Sequence, residues 1–346
     1  MKTRRWFVDC SAELSTTDPQ ITQAAELLRQ NEVVAFPTET VYGLGANAEN
    51  TEAVTKIYEA KGRPSDNPLI VHISHISQLD RFISHIPETA KKLMELFWPG
   101  ALTLVLPCKP GVLSPRVTAG LETVAVRMPD HPAALALISS AGLPIAAPSA
   151  NLSGKPSPTK AEHVAHDLNG RIAGIVDGGA TGIGVESTVL SCTGKQPVLL
   201  RPGGVTKEQI ESAAGPVLVD KGLTEEDEVP ISPGMKYTHY APSAPMAIAD
   251  GGARRIQELA DTYKSRGKRI GILTTEENAD SYQADYIKVC GRRADLETVA
   301  SALYDALRSF DEAEVDMIIS ESFPDTGVGL AIMNRLMKAA GGTVIH

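Results

Sequence analysis

Residues 61–68 bring two cations, a hydroxyl and an amide into one short segment, Lys-Gly-Arg-Pro-Ser-Asp-Asn-Pro, which precedes the apolar run 69–73. A lysine acts on phosphate as a point charge, an arginine binds two oxygens in a fork, and serine and asparagine add neutral donors. The segment therefore fits a phosphate-binding loop. A helix C-terminus whose carbonyl groups attract Lys61 and Arg63 fits the same residues, so the pattern alone leaves both interpretations open.

Other polar turns follow apolar runs at 37–45, 148–154, 182–188 and 201–204. Sites in sheet proteins concentrate in turns at strand ends. Ordinary turn chemistry accounts for any one of these turns but explains their number less well. Arg127 and Arg201 both end apolar runs, where a charge needs a partner or a ligand. These turns are therefore candidate binding segments.

Several common catalytic signatures do not occur: the sequence contains no GxxxxGK[ST], GxGxxG, HExxH or GxSxG. P-loop, dinucleotide-binding and common hydrolase functions are therefore unsupported. Two histidine pairs with a spacing of three lack a carboxylate at a recognised ligand spacing, which favours packing or surface roles over metal binding; they are His72 with His75 and His163 with His166. The cysteines form no CxxC pair, which favours buried free thiols over a zinc ribbon; they are Cys10, Cys108, Cys192 and Cys290.

Length and composition predict two globular domains. The chain has 346 residues, 42% apolar and 22% charged, and its 29 glycines and 23 prolines follow no period. Its net charge of −9 argues against a broad nucleic-acid groove and confines any phosphate to a local basic pocket. No signal-type apolar region and no run of about 18 apolar residues occurs, so we expect a cytoplasmic protein with no membrane contact.

The predicted helices and strands that must position these residues indicate a mixed α/β pattern. A capped amphipathic helix begins at Asp18-Pro19 and precedes the strand candidate 33–36. Helical patterns near 51–60, 88–97, 132–141 and 160–168 separate some of the further strand candidates, which are 69–73, 102–106, 123–128, 145–148, 172–176, 187–191 and 198–201. The alternation is irregular, which predicts an α+β type of α/β fold with a mixed twisted sheet and helices rather than a doubly wound sheet.

The character of the sequence changes near residue 215. Gly215-Pro216 is followed by the acidic run 225–228 and by 232–242, Ser-Pro-Gly-Met-Lys-Tyr-Thr-His-Tyr-Ala-Pro. A passive tether needs only flexible polar residues, whereas these large side chains can cover a pocket, so we interpret 232–242 as a lid; docking of two domains is the alternative. We therefore predict an N-terminal domain over 1–215, a linker or lid over 216–245, and a small Rossmann-like α/β domain over 246–346.

Six motifs carry a specific resemblance: PTETVYGLG, KGRPSDNPL, VAVRMPDHP, APSANLSGKPSPT, GVESTVL and RPGG follow one another between residues 37 and 204. In this order they closely resemble the YrdC-type threonylcarbamoyl-AMP synthase family. The later SPGMKYTHYAP and the small α/β tail resemble the long form of that family, which carries an additional C-terminal domain. The resemblance covers nearly the whole chain and implies that 1–215 is a YrdC-like catalytic domain.

The resemblance implies a nucleotidyltransferase that joins L-threonine, bicarbonate and ATP into L-threonylcarbamoyl-AMP and releases pyrophosphate, with magnesium accompanying ATP. Partner proteins are then expected to transfer the threonylcarbamoyl group to the adenosine beside the anticodon of tRNAs reading codons that begin with A, with weak or no direct tRNA binding by this chain. Two alternatives stay open. One is a carbamoyl-adenylate enzyme of hydrogenase maturation, whose zinc-finger CxxC elements are missing here; the other is a double-stranded-RNA-binding module, against which the charge of −9 weighs.

The family motifs also imply site residues at the matching positions. The expected L-threonine pocket consists of Thr40, His72, Arg127, Ala147 and Ser187. The expected ATP contacts are Lys61, Arg63, Ser65, Asn67, Thr123, Ser149, Ser157, Arg201 and Tyr240. Lys61, Arg63 and Arg201 are expected to carry catalysis by positioning and charge neutralisation, because a carbamate and the α-phosphate are both anions. We expect no metal held by protein side chains and assign no general base.

Overall fold

The computed structural model describes residues 2–11, 14–65, 67–220 and 240–346, which fall into two compact units. Unit 1 contains the described residues of Met1–Ser153, Pro158–Gly182 and Glu186–Lys236. Unit 2 contains those of Gly154–Ser157, Ile183–Val185 and Tyr237–His346. Most of the predicted lid, 232–239, lies outside the described residues.

Unit 1 is built on a mixed sheet. Its described strands are β1 (Arg4–Phe7), β2 (Val34–Phe36), β3 (Gly43–Asn47), β4 (Ile70–His72), β5 (Leu102–Pro107), β6 (Thr123–Arg127), β7 (Ile145–Ala146), β8 (Gly174–Asp177), β9 (Thr188–Ser191), β10 (Val198–Arg201) and β11 (Leu218–Val219). They lie in the order β1-β8-β2-β3-β7-β4-β6-β5-β9-β10-β11. Parallel neighbours such as β4 and β6 occur beside antiparallel neighbours such as β5 and β6, which confirms the predicted mixed sheet.

Five of the eight described helices in unit 1 begin at a side-chain cap. Those described are α1 (Pro19–Arg29), α2 (Thr51–Lys61), α3 (Leu79–Phe82), α4 (Glu88–Phe97), α5 (Pro115–Thr118), α6 (Pro132–Ala141), α7 (Ala161–Leu168) and α8 (Lys207–Ala214). At α1 the Asp18 carboxylate accepts from the backbone amides of Gln20 and Ile21, as its sequence predicts. Leu28 of α1 and Leu137 of α6 are fully buried in one core cluster with Phe36 of β2, so these two helices pack beside the strand that leads into the turn 37–42.

Strand β3 was not predicted, because glycines at 43 and 45 are typical of turns. A Cβ atom at Gly45 would lie 2.7 Å from the Phe36 ring and 2.9 Å from Ile145 Cγ2. The missing side chain therefore lets β3 pair between β2 and β7 while the Phe36 ring covers it. Close packing outweighs the low strand propensity of glycine at this place.

Unit 2 contains a parallel sheet. Its described strands are β12 (Met246–Ala249), β13 (Ile270–Thr274), β14 (Tyr286–Val289), β15 (Met317–Glu321) and β16 (Val344–Ile345), in the order β14-β13-β15-β12-β16. The helices α9 (Gly252–Lys264), α10 (Leu296–Ala313) and α11 (Val328–Ala339) connect them. Buried Ile256, Ile272 and Ile319 form the centre of one core cluster. The alternation confirms the predicted Rossmann-like class.

None of the helices in the described part of the chain has the length and apolar character needed to cross a membrane.

Candidate functional site

The site is organised by the pairing of β4 with β6. These strands are parallel, and their register places His72 opposite Arg127 at the carboxyl end of each strand. The next strand, β7, runs antiparallel to β4 and leads into Ala147, whose backbone amide donates to the Ile70 carbonyl at 2.9 Å. Three of the expected threonine-pocket residues therefore lie on, or directly after, neighbouring strands, although 75 positions separate the first from the last in the sequence.

Arg127 is 3% exposed, and two hydrogen bonds fix its guanidinium. Nε donates to the Gly100 carbonyl at 3.1 Å, and Nη1 donates to Thr40 Oγ1 at 2.8 Å. The Thr38 hydroxyl lies 2.9 Å from the Thr40 hydroxyl and donates to the Val41 carbonyl at 2.7 Å. Because Thr38 has used its proton there, Thr40 donates to Thr38 and accepts from Arg127, so the turn 37–42 orients the arginine.

Glu39 completes this cluster. Its Oε1 lies 2.5 Å from Arg127 Nη2, but off the direction required for a hydrogen bond, so the contact is an ion pair alone. Both Glu39 carboxylate oxygens and Arg127 Nη2 are buried, and none of them has a hydrogen-bond partner among the described residues. Glu39 lies inside the PTETVYGLG motif but was not among the predicted site residues. Its position between two threonines was the available signal.

His72 is 4% exposed. Its Nδ1 lies 3.3 Å from the Ile70 carbonyl, which can only accept, so Nδ1 carries the proton and Nε2 is left as an acceptor. Burial, with a smaller contribution from the positive Arg127, lowers the pKa of His72 to about 3. The imidazole is therefore neutral at physiological pH and serves as a hydrogen-bonding group rather than a cation.

Ser187 lies immediately before β9, which pairs in parallel with β5. The Thr103 and Ser187 hydroxyls are 2.7 Å apart. The Ser187 carbonyl accepts from Arg201 Nη2 at 2.8 Å and from Nε at 3.2 Å. The turn after Arg201 lies close to this segment, since a Cβ at Gly203 would be 2.3 Å from the Glu186 carbonyl oxygen. Arg201 and Ser187 therefore form one buried unit, and Thr103 is a further member that the sequence analysis missed.

Lys61 ends α2 but does not extend into solvent. The residue is 3% exposed, and Nζ donates to the Asn151 carbonyl at 2.7 Å and to the Ser149 carbonyl. Gly62 follows in the left-handed conformation with φ of 61°, which ends the helix. The structure thus brings Lys61 beside Ser149. The residue does end a helix, as the alternative interpretation of 61–68 supposes, but it is buried rather than solvated.

The remaining expected ATP residues belong to several different elements. Asn67 is fully buried, Arg63 is half-buried and Ser65 is exposed. Thr123 begins β6, four residues and about 13 Å of strand from Arg127, so it lies at the opposite end of that strand. Ser157 and Tyr240 belong to unit 2. There the Tyr240 ring packs 5.2 Å from the Tyr304 ring.

Within the described ranges no group of three or more His, Cys, Asp or Glu side chains could hold a metal ion. The spacing of His163 and His166 has another explanation. The Nδ1 atom of His163 accepts from the Thr159 amide at 3.2 Å, and His166 is exposed. The four cysteines are free thiols, as expected; Cys192 and Cys290 are buried, but Cys10 and Cys108 are only half-buried, so the expected burial is wrong for these two.

Comparison with known proteins gives matches over the whole chain. A family model for Sua5, YciO and YrdC, described as "Telomere recombination", matches residues 26–203, and a model described as "Threonylcarbamoyl-AMP synthase, C-terminal domain" matches residues 205–341. The chain is 77% identical over 346 residues to a threonylcarbamoyl-AMP synthase of Bacillus subtilis (strain 168), covering 100% of both chains. It is 50% identical over 327 residues to a threonylcarbamoyl-AMP synthase of Pyrococcus abyssi, covering 93% of this chain and 94% of that one.

A solved structure extends the likeness to the fold. The crystal structure of P. abyssi Sua5 complexed with L-threonine has a TM-score of 0.93 and 47% identity, and the match covers 99% of this chain and 100% of that chain. Together with the two family models, this shows that the chain belongs to the Sua5, YciO and YrdC family, in the form that carries the threonylcarbamoyl-AMP synthase C-terminal domain.

Proposed function

We propose that this chain is a threonylcarbamoyl-AMP synthase, which joins L-threonine, bicarbonate and ATP into L-threonylcarbamoyl-AMP and releases pyrophosphate. The observation that carries the proposal is the buried, pre-oriented Arg127 at the end of β6. Thr40 and Gly100 fix its guanidinium, and Nη2 has no hydrogen-bond partner among the described residues. The full-length identity of 77% to a synthase of this name supports the same reaction.

The threonine pocket is proposed to consist of Thr40, His72, Arg127, Ala147 and Ser187. An arginine fork suits the substrate carboxylate, and small polar groups suit its hydroxyl. The lone pair on His72 Nε2 supplies a neutral acceptor for a substrate N–H or O–H group. The solved P. abyssi complex with L-threonine supports an amino-acid pocket in this fold.

ATP is proposed to bind through the cations Lys61, Arg63 and Arg201, aided by Ser65, Asn67, Thr123, Ser149, Ser157 and Tyr240. In the reaction, an oxygen of the threonine carbamate attacks the α-phosphorus, and the bond to the departing pyrophosphate breaks with its electron pair on the leaving oxygen. Both reactants are anions, so charge neutralisation and positioning reduce the barrier. Lys61, whose Nζ is held beside the Ser149 carbonyl, is proposed to neutralise part of this negative charge. No side chain is proposed to form a covalent bond with the substrates.

Magnesium is proposed to enter with the nucleotide. The described residues offer no cluster of ligands to hold it, and magnesium commonly binds through substrate phosphates. Its chemistry when bound is to neutralise charge on those phosphates. The product is proposed to pass to partner proteins that modify tRNA, with no strong tRNA binding by this chain, as its charge of −9 favours.

The test is pyrophosphate release by the full-length protein with each substrate omitted in turn. The synthase requires L-threonine, bicarbonate and ATP together. Pyrophosphate release that requires neither L-threonine nor bicarbonate would favour the carbamoyl-adenylate chemistry of hydrogenase maturation. A protein that binds double-stranded RNA and releases no pyrophosphate would favour the binding module.

A further inference from the structure

The Glu39 carboxylate has hydrogen-bonding capacity that the described residues do not satisfy. It lies in the turn between β2 and β3, and both carboxylate oxygens are shielded from solvent without a hydrogen-bond partner among the described residues. A carboxylate offers about four acceptor positions, and buried polar groups are normally paired. An Arg127 Nη2 atom 2.5 Å away supplies charge but not hydrogen-bond geometry. The pair is therefore incomplete on both sides.

The surrounding contacts restrict what can complete it. Arg127 Nε is used by the Gly100 carbonyl, and Nη1 is held by Thr40. Within the described part of the chain, Nη2 lacks an acceptor and the two Glu39 oxygens lack donors. A ligand that presents a carboxylate and an ammonium group a few ångströms apart satisfies both needs at once. An α-amino acid zwitterion has this form.

We propose that Glu39 binds the α-ammonium group of L-threonine while Arg127 binds its carboxylate. The inference rests on the proposed function and adds to it the group that recognises the substrate nitrogen. In the free protein Glu39 and Arg127 neutralise each other, and in the complex each exchanges part of that contact for the opposite charge on the substrate. The four charges sum to zero in both states, so binding leaves no unpaired charge in the buried site.

This arrangement also positions the reacting atom. The nitrogen held by Glu39 is the one that must join bicarbonate in the proposed reaction. A hydrogen bond to a carboxylate fixed in the turn 37–42 limits where that nitrogen can lie relative to the Arg127 fork. Glu39 is assigned a binding role, and the proton that the ammonium group must lose before reacting is not assigned to it.

The experiment compares two ligands by calorimetric titration of the full-length protein. L-Threonine carries the ammonium group, and (R)-3-hydroxybutyrate is the same molecule without it. In the unmodified protein the hydroxy acid should bind at least tenfold more weakly, because its carboxylate meets Arg127 while Glu39 stays unpaired beside it. Equal affinity for the two ligands would overturn the inference without any variant.

The variant Glu39→Gln then supplies a signature that a purely structural role does not produce. L-Threonine affinity should fall tenfold or more, whereas (R)-3-hydroxybutyrate should bind at least as tightly as it does to the unmodified protein, because an anionic neighbour has been removed. Glu95→Gln, on an exposed position of α4, is the matched control and should change neither affinity.

The outcomes separate this inference from the proposed function. Equal weakening of both ligands by Glu39→Gln, or L-threonine affinity unchanged within twofold, would contradict the role of Glu39 alone. An unmodified protein that neither binds L-threonine nor releases pyrophosphate with it would instead overturn the proposed function.

Discussion

The burial of His72 should make the stability of unit 1 depend on pH in a defined direction. Burial and Arg127 hold the pKa of His72 near 3, against an ordinary value of 6.5. Between these values the unfolded chain binds a proton that the folded chain does not, so the free energy of unfolding falls as pH falls below 6.5. Linkage gives a loss of about 2 kcal/mol from His72 between pH 7 and pH 5.

The substitution His72→Asn removes this titration while keeping a donor for the Ile70 carbonyl. Urea unfolding at the two pH values, followed by tryptophan fluorescence, reports on unit 1, because both tryptophans, Trp6 and Trp98, lie there. The loss of stability on acidification should be smaller in the variant by about 2 kcal/mol. His166→Asn, at an exposed histidine of α7, is the matched control.

Other groups, including His131 with its lowered pKa, contribute to the acid response of both proteins and cancel in the comparison. If the His72→Asn protein loses as much stability on acidification as the unmodified protein, the imidazole is not held neutral by its surroundings. The electrostatic description of the pocket would then be wrong.

Three further predictions follow from the contacts described above. Lys61→Ala and Arg63→Ala should each raise the KM for ATP in pyrophosphate release by roughly tenfold or more, since a charge-assisted phosphate contact contributes about 1.5–3 kcal/mol. Calorimetry should show little change in L-threonine affinity. An unaltered KM for ATP in both variants would remove 61–68 from the site. Gly203→Ala should lower the free energy of unfolding by about 1–3 kcal/mol in urea titrations, because its Cβ would lie 2.3 Å from the Glu186 carbonyl oxygen, whereas Gly194→Ala, with a nearest contact of 3.7 Å, should have little effect. L-Valine should support pyrophosphate release with kcat/KM reduced by roughly 100-fold or more, since a site that hydrogen-bonds a substrate hydroxyl rejects the methyl analogue. L-Serine lacks the methyl group and should lose about 1–3 kcal/mol of transition-state stabilisation relative to L-threonine. Equal use of L-valine and L-threonine would contradict a polar side-chain pocket.

Local signals in the sequence were sufficient for most regular elements. Asp18 and Pro19 mark the start of α1 through a carboxylate cap and a restricted first residue, and both act within a few positions of the helix that they begin. The glycine strand β3 could not be predicted in this way. Its stability comes from the Phe36 ring and Ile145, which contact Gly45 only after the chain has folded. Tertiary packing there overrides local propensity.

In the candidate site too, local sequence signals predicted some features and tertiary structure decided the others. The motifs identified the turn 37–42 and the strand-end Arg127, because polar groups after apolar runs are visible in one dimension. They could not show that His72 lies opposite Arg127, since that depends on the parallel register of β4 with β6. They also could not show that Lys61 turns inward to the carbonyls of Ser149 and Asn151. Long-range pairing decides which of the candidate side chains meet.

The most direct test of the account concerns Arg127, whose orientation by Thr40 and Gly100 defines the threonine pocket. Arg127→Lys keeps the charge but loses the fork, and Arg171→Lys, at an exposed position, is the matched control. Steady-state pyrophosphate release should show a KM for L-threonine raised roughly 10- to 150-fold, as expected for one charge-assisted hydrogen bond, with the KM for ATP within about twofold of the unmodified protein. A KM for L-threonine that does not move, or a KM for ATP that rises equally, would contradict the assignment of this strand end to threonine.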